Sequence, residues 1–381
     1  MIKILTVIGA RPQIIKSSAL NRGIKNSYSK DIQEVILHTG QHYDDAMSDI
    51  FFREMGISQP DYNLNTGSGT HGKQTALMIE GIEKVALIEK PAAIIVYGDT
   101  NSTLAAAIAA TKLKIPLVHI EAGLRSFNKT MPEEINRIVC DHCSTLLFTP
   151  TQSGYNNLIK EGFNPNKESP FTINNPGVFH CGDVMYDNTL YFSEVSETTS
   201  GILDKAGLNN KEFLLVTIHR DSNTDAPERL NTILETINEI SISEQIPVVF
   251  PMHPRTTASL NTGNHPAMKH IKDNPLFKII PPASFLEMIL LEKRCSMVLT
   301  DSGGVQKEAF FLHKPCIVLR PETEWTELVD CGNSILAGAN GDLIKKAYQT
   351  FKGKKKSSYP KFYGDGNAAG FICKEILSNF K

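Results

Sequence analysis

The chain has 381 residues, 41% of them hydrophobic and 21% charged, with a formal net charge of −2 at pH 7. That is the composition of an ordinary soluble globular protein, long enough for two domains. With no basic stretch of domain size, nucleic acid and an anionic membrane surface are excluded as main partners.

The first apolar run, "IKILTVIG" (2–9), is too short for a signal-peptide core, and no window approaches the ~20 apolar residues of a membrane span. The seven cysteines are odd in number and scattered in apolar contexts such as "HKPCIVL". Buried thiols in a reducing cytoplasm are therefore expected rather than a disulfide framework. Cys140 and Cys143 form a lone C-x-x-C inside a helical pattern, without the second pair a zinc site needs. Further strand-like runs follow at 34–40, 92–99, 116–123 and 145–150, separated by segments of helical period such as 101–113 and 132–143. The stretch "NPNKESPFTINNPG" (164–177) is Pro/Asn-rich and reads as a linker. After it a second series opens with "GVFHCGD", then "EFLLVTIHR", "PVVFPMHP", "FKIIPP", "SMVLTDSGG" and "PCIVLRP". Helical segments fall at 226–240, 304–312 and 367–380. The run at Lys352, Lys354, Lys355 and Lys356 reads as a solvated loop.

Continuous Ile/Val runs indicate strands buried on both faces, as in parallel sheets covered by helices. The expected class is α/β, with two Rossmann-like, doubly wound domains over 1–170 and 176–365. The terminal helix, 366–381, is expected to pack back on the first domain. Such sheets present their strand C-termini to a ligand, here expected in a cleft shared by the two domains.

Polar residues do cluster at those strand ends. "GARPQIIK" carries Arg11 and Lys16, "YGDTNST" carries Asp99, "HIEAGLRS" carries Glu121 and Arg125, and "MPEEINR" carries Glu133, Glu134 and Arg137. The second series adds "TIHRDSN" with His219 and Arg220, "MHPRT" with His253, and "DSGGVQKE" with Ser302, Gly303 and Glu308. Singly, each has a plain alternative. Asp99 before Thr100 and Asn101 reads equally as a helix cap, and Glu133 with Arg137 as a surface i,i+4 pair. "DSGGVQKE" is a strand-to-helix junction whose glycines let a backbone approach a ligand. Its free amides at Ser302, Gly303 and Gly304 suit a phosphate or diphosphate, and Glu308 one turn on suits ribose hydroxyls. A G-x-S-x-G elbow is missing, as is a G-x-G-x-x-G fingerprint after the first strand, which disfavours an acyl hydrolase and a nicotinamide enzyme. His38 and His42 are four apart, but the intervening Gly40 argues against one helix face, so no metal is expected.

Taken together and in this order, "GARPQIIK", "TGQH", "GDTNSTLAAA", "HIEAGLRS", "MPEEINR", His219-Arg220 with Asn223, "LTDSGGVQKEA" and "FYGDGNAAG" resemble the non-hydrolysing UDP-N-acetylglucosamine 2-epimerases. The resemblance covers nearly the whole chain. It implies a GT-B fold, no cofactor, a homodimer, and inversion at C2 of a UDP-linked HexNAc through a 2-acetamidoglucal. It implies acid/base and sugar-handling roles for Asp99, Glu121, Glu133 and His219. By the same token Arg11, Lys16 and Arg137 steady diphosphate or sugar, and His253, Ser302, Gly303 and Glu308 hold UDP. A GT-B glycosyltransferase is the alternative class, since it shares the nucleotide site. Two departures, Gln13 in "RPQ" and Trp325 in "TEWTE", resemble the subgroup acting on UDP-2,3-diacetamido-2,3-dideoxyglucuronate. Some members carry a second, activating UDP-GlcNAc site where Gln41, His42, Lys73 and Gln74 lie. Asp44 and Lys73 depart from its pattern, so that regulation is not carried over.

Overall fold

The computed structural model describes residues 1–41, 52, 55–262, 265–354 and 358–381. His42, Asp44, Lys355 and Lys356 lie outside the described residues. The chain divides into two compact units, residues 1–188 with 361–381, and residues 189–360.

The first unit is built on seven parallel strands in the order β3-β2-β1-β4-β5-β6-β7. They are β1 (Ile2–Ile8), β2 (Ile32–His38), β3 (Tyr62–Asn63), β4 (Ala93–Tyr97), β5 (Leu117–Ile120), β6 (Leu146–Thr149) and β7 (Gly177–His180). The chain winds outward from β1 and returns to β4 on the other side, so β1/β4 is the switch point. All five residues of β4 are buried, as a strand covered on both faces requires. The Asn101–Leu113 helix that follows is capped by the Thr100 hydroxyl, which accepts the Thr103 amide, and its alanines let it lie close to the sheet. The Pro132–Cys143 helix starts with proline in its first turn, where no amide partner is needed.

The second unit repeats the winding with six parallel strands, in the order β10-β9-β8-β11-β12-β13. These are β8 (Leu214–Thr217), β9 (Val248–Pro251), β10 (Phe277–Ile280), β11 (Met297–Thr300), β12 (Cys316–Val318) and β13 (Ser334–Leu336). Leu214 and Val216 of β8 pack in one core cluster and Leu215 in another, so helices cover both faces. Its switch point is β8/β11.

Two expectations are corrected. "GVFHCGD" does not open the second series: β7 pairs with β6 and completes the first sheet. The Pro/Asn-rich stretch 164–177 lies inside the first unit, and the division falls at 188/189 within the Val184–Thr199 helix. In the first unit Asp187 of that helix accepts the amides of Ala368 and Ala369, tying down the start of the terminal Ala368–Phe380 helix.

Candidate active site

The first unit's chemistry gathers where β1, β4 and β5 end. β1 runs into the Arg11–Gly23 helix, whose start is fastened by Gln13. The Gln13 carbonyl oxygen accepts the amides of Gly9 (2.9 Å) and Ala10 (3.2 Å), and its amide nitrogen donates to Tyr97 O (2.9 Å) and Thr103 Oγ1 (3.0 Å). One turn on, the Lys16 ammonium pairs with the Glu121 carboxylate. Glu121 follows β5 with a left-handed φ of 75°, unusual for a side chain with a Cβ and a mark of a position held by its surroundings. Gly98, at the end of β4, has φ 64°, and a Cβ there would stand 3.1 Å from both Glu121 Oε2 and Lys16 Nζ. Next to it, Asp99 Oδ2 accepts Arg137 Nη2 at 2.5 Å.

Buried groups brace this edge from below. Glu134 Oε2 pairs with Arg137 Nη1 at 3.0 Å, and its two oxygens accept the amides of Ser126 (2.9 Å) and Phe127 (2.8 Å). Burial alone would raise its pKa, but those amides and Arg137 hold it below the usual range. Asp141, fully buried, takes His119 Nδ1, Arg125 Nη2 and the Gly123 amide. Asn136 Nδ2 donates to the Asp99 carbonyl at 2.9 Å.

In the second unit the switch point is knitted by Asp301, which is wholly buried after β11. Its carboxylate accepts the amides of His219 (3.0 Å) and Arg220 (3.1 Å) and the side chain of Asn223 (3.0 Å). The His219 ring lies 5.1 Å from that of His253. Burial lowers the His219 pKa, His253 and Arg220 lower it further, and Asp301 offsets this only in part. The imidazole is thus neutral at neutral pH and able to take a proton. Ser302 caps the Gly303–Phe311 helix, and the amides of Gly303 and Gly304 donate to no other described residue, leaving an anion-ready helix start. The Ser302 amide is not part of it, because it donates to Thr300 Oγ1 at 2.9 Å. The Trp325 indole donates to the Gly303 carbonyl at 3.0 Å and carries the Lys307 ammonium 4.4 Å above its ring. Glu308 is half-buried. Behind it, Glu292 is fully buried and pushed well above the carboxylate range by burial and by Glu308. Beyond β9 and β10 a cavity of about 560 Å³ opens, lined by Met252, Pro254, Ala258, Ile280, Pro281 and Pro282.

The structure thus brings Lys16 to Glu121 and Asp99 to Arg137 in the first unit, and His219 to His253 beside the 302–304 helix start in the second. Glu133 and Arg11 are exposed on the first turns of their helices, and the Glu133 side chain makes no hydrogen bond or ion pair with another described residue. Arg125 is a buried brace rather than a ligand group, paired with Asp141 and Glu161. Gln41 and Gln74 hold the start of the Asn101–Leu113 helix, Gln41 through Ser102 and Gln74 through Asn101. Sequence reasoning missed His119, Asp141, Asp301 and the apolar cavity. Only Asp301 had a local signal, as the last polar residue before a glycine-rich helix start.

Two doubly wound parallel sheets with chemistry at the switch point of each define an α/β enzyme of the GT-B class. The family model described as UDP-N-acetylglucosamine 2-epimerase matches residues 25–377, and the chain belongs to that family. It is 46% identical over 374 residues to the UDP-2,3-diacetamido-2,3-dideoxy-D-glucuronate 2-epimerase of Pseudomonas aeruginosa, covering 98% of this chain and 99% of that protein. It is 42% identical over 376 residues to the UDP-N-acetylglucosamine 2-epimerase of Methanocaldococcus jannaschii, covering 98% of each. A crystal structure of the M. jannaschii UDP-GlcNAc 2-epimerase with UDP-GlcNAc and UDP superposes with a TM-score of 0.81 at 41% identity, covering 99% of each chain.

Proposed function

We propose that this enzyme inverts C2 of a UDP-linked 2-acetamido sugar by eliminating UDP and adding it back. The reading is carried by one observation: two carboxylates at the first unit's switch point, Asp99 and Glu121, are each paired with a cation, Arg137 and Lys16. Removing the unactivated C2 proton needs a positioned base, and an ion-pair partner holds a carboxylate in place. The C2–H and C1–O bonds break, leaving a 2-acetamidoglucal and UDP. Reprotonation of C2 from the opposite face and return of the UDP oxygen to C1 complete the inversion. The sequence is redox-neutral and uses no electron carrier.

Asp99, Glu121 and Glu133 with His219 form the acid/base and sugar-handling group, while Arg11, Lys16 and Arg137 steady the sugar or diphosphate. Ser302, Gly303 and His253 receive the diphosphate, and Glu308 the ribose hydroxyls. The apolar cavity beyond β9 and β10 suits a uracil ring. Glycan-precursor supply in the cytoplasm, as a homodimer, is the setting this reading implies.

The substrate has a second reading, UDP-2,3-diacetamido-2,3-dideoxyglucuronate, favoured by Gln13, Trp325 and the 46% identity to an enzyme named for that sugar. Turnover of UDP-GlcNAc beside this uronate decides between them. Epimerised UDP-sugar from only one identifies the substrate. Transfer to an added acceptor without any C2 inversion would instead establish a glycosyltransferase.

A further inference from the structure

His119 lies in β5, wholly buried, and none of the roles above uses it. Its Nδ1 stands 2.7 Å from Asp141 Oδ1 and its Nε2 2.9 Å from the Gly98 carbonyl oxygen. Both partners are acceptors. A neutral imidazole has one N–H and would turn a lone pair on one of those oxygens, whereas an imidazolium donates to both. An unmade contact of that kind is expensive in a buried site.

The Gly98 carbonyl belongs to the peptide that leads into Asp99, and the Asp99 carbonyl is held by Asn136 at 2.9 Å. Both peptides flanking Asp99 are therefore gripped by buried side chains, one from β5 and one from the Pro132–Cys143 helix. His119 also lies two residues before Glu121, which follows directly on its strand. We propose that His119 is a positioning residue, held as an imidazolium through neutral pH, which fixes the Gly98–Asp99 turn against the end of β5, just where Glu121 follows. The groups facing it are Asp141 and Cys140 from the 132–143 helix and the Gly98 carbonyl from β4, with Arg125 reaching it through Asp141. Burial opposes the charge, but Cys140 and Asp141 outweigh it, and the His119 pKa stands well above its ordinary value.

The proposal rests on the acid/base reading of Asp99 and Glu121 for its kinetic part and is independent of it for its structural part. Nitrogen-15 NMR of histidine-labelled protein, with the His119 signals assigned by loss in His119→Gln, reads the ring directly. Both nitrogens are expected at imidazolium shifts at pH 7. A neutral tautomer at pH 7 overturns the proposal. For C2 inversion, His119→Gln should lower kcat with little change in KM. A folded His119→Gln enzyme with a wild-type kcat also overturns it. Absence of C2 inversion in the wild type would count against the functional reading alone, since the NMR result stands without it.

Discussion

The Lys16 ammonium and the Glu121 carboxylate meet directly over Gly98, so an ion pair 105 residues apart in sequence is closed beside a left-handed position where a side chain would be crowded by both partners. Glu121 is only 11% exposed, and Lys16 is its one ion-pair partner among the described residues. Lys16→Met should therefore reduce kcat/KM for C2 inversion by roughly 10²–10³-fold, the usual scale for losing one positioned charged group. Steady-state kinetics measure it, and a wild-type kcat/KM in the variant would show that Glu121 works without Lys16.

Gly98→Ala probes the same closure. An L-residue at φ 64° costs on the order of 1–2 kcal/mol, and the new methyl would lie 3.1 Å from both partners of the pair. Denaturant titration should show a loss of about that size, with a fall in kcat much larger than lost stability explains. Wild-type kinetics in the alanine variant would remove Gly98 from the account.

Asp301 is expected to be indispensable to the second unit. Replacing it with alanine takes the acceptor from the half-buried His219 amide and from one of the two side-chain donors of the buried Asn223, which keeps the Leu319 carbonyl. A loss of about 2–4 kcal/mol is predicted, from buried donors left without an acceptor. Unfolding followed through the lone tryptophan, Trp325, reports on this unit specifically.

Asp187 should give stability a pH dependence of unusual sign. Burial pushes its pKa up to about 6 from 3.8, although the Ala368 and Ala369 amides work against that rise. Because the folded state favours the protonated carboxyl, the contribution is fully present below about pH 3.8 and is lost as pH rises through 6. Asp187→Asn should therefore gain on wild type between pH 4 and 7.5, by up to about 3 kcal/mol. Urea unfolding of both proteins across that range is the measurement, and a difference that stays flat or runs the other way would contradict it.

Much of the fold was legible because long Ile/Val runs leave a parallel strand few alternatives. β3, two residues long, and β13, three, are too short for any pattern to register. β7 was assigned to the wrong sheet because a strand's neighbours in sequence do not say which edge it joins. At the site, spacing located the strand ends but could not rank Glu133 against Glu134. The phase of the helix after Pro132 buries the second and exposes the first. His119 and Asp141 are 22 residues apart and meet only in three dimensions, so no local signal could pair them. Gln13 was noted as a departure in sequence. Its four hydrogen bonds explain it as the clasp between β1, β4 and the Asn101–Leu113 helix.

The central claim is that Asp99 and Glu121 move the C2 proton of a UDP-sugar. Incubation with UDP-GlcNAc, and separately with its 2,3-diacetamido uronate counterpart, in deuterated water tests it most directly. The account predicts deuterium at C2 of both epimers in wild type, and loss of that exchange in Asp99→Asn or Glu121→Gln with UDP binding retained. Epimerised product without deuterium at C2, or undiminished exchange in both variants, would contradict it.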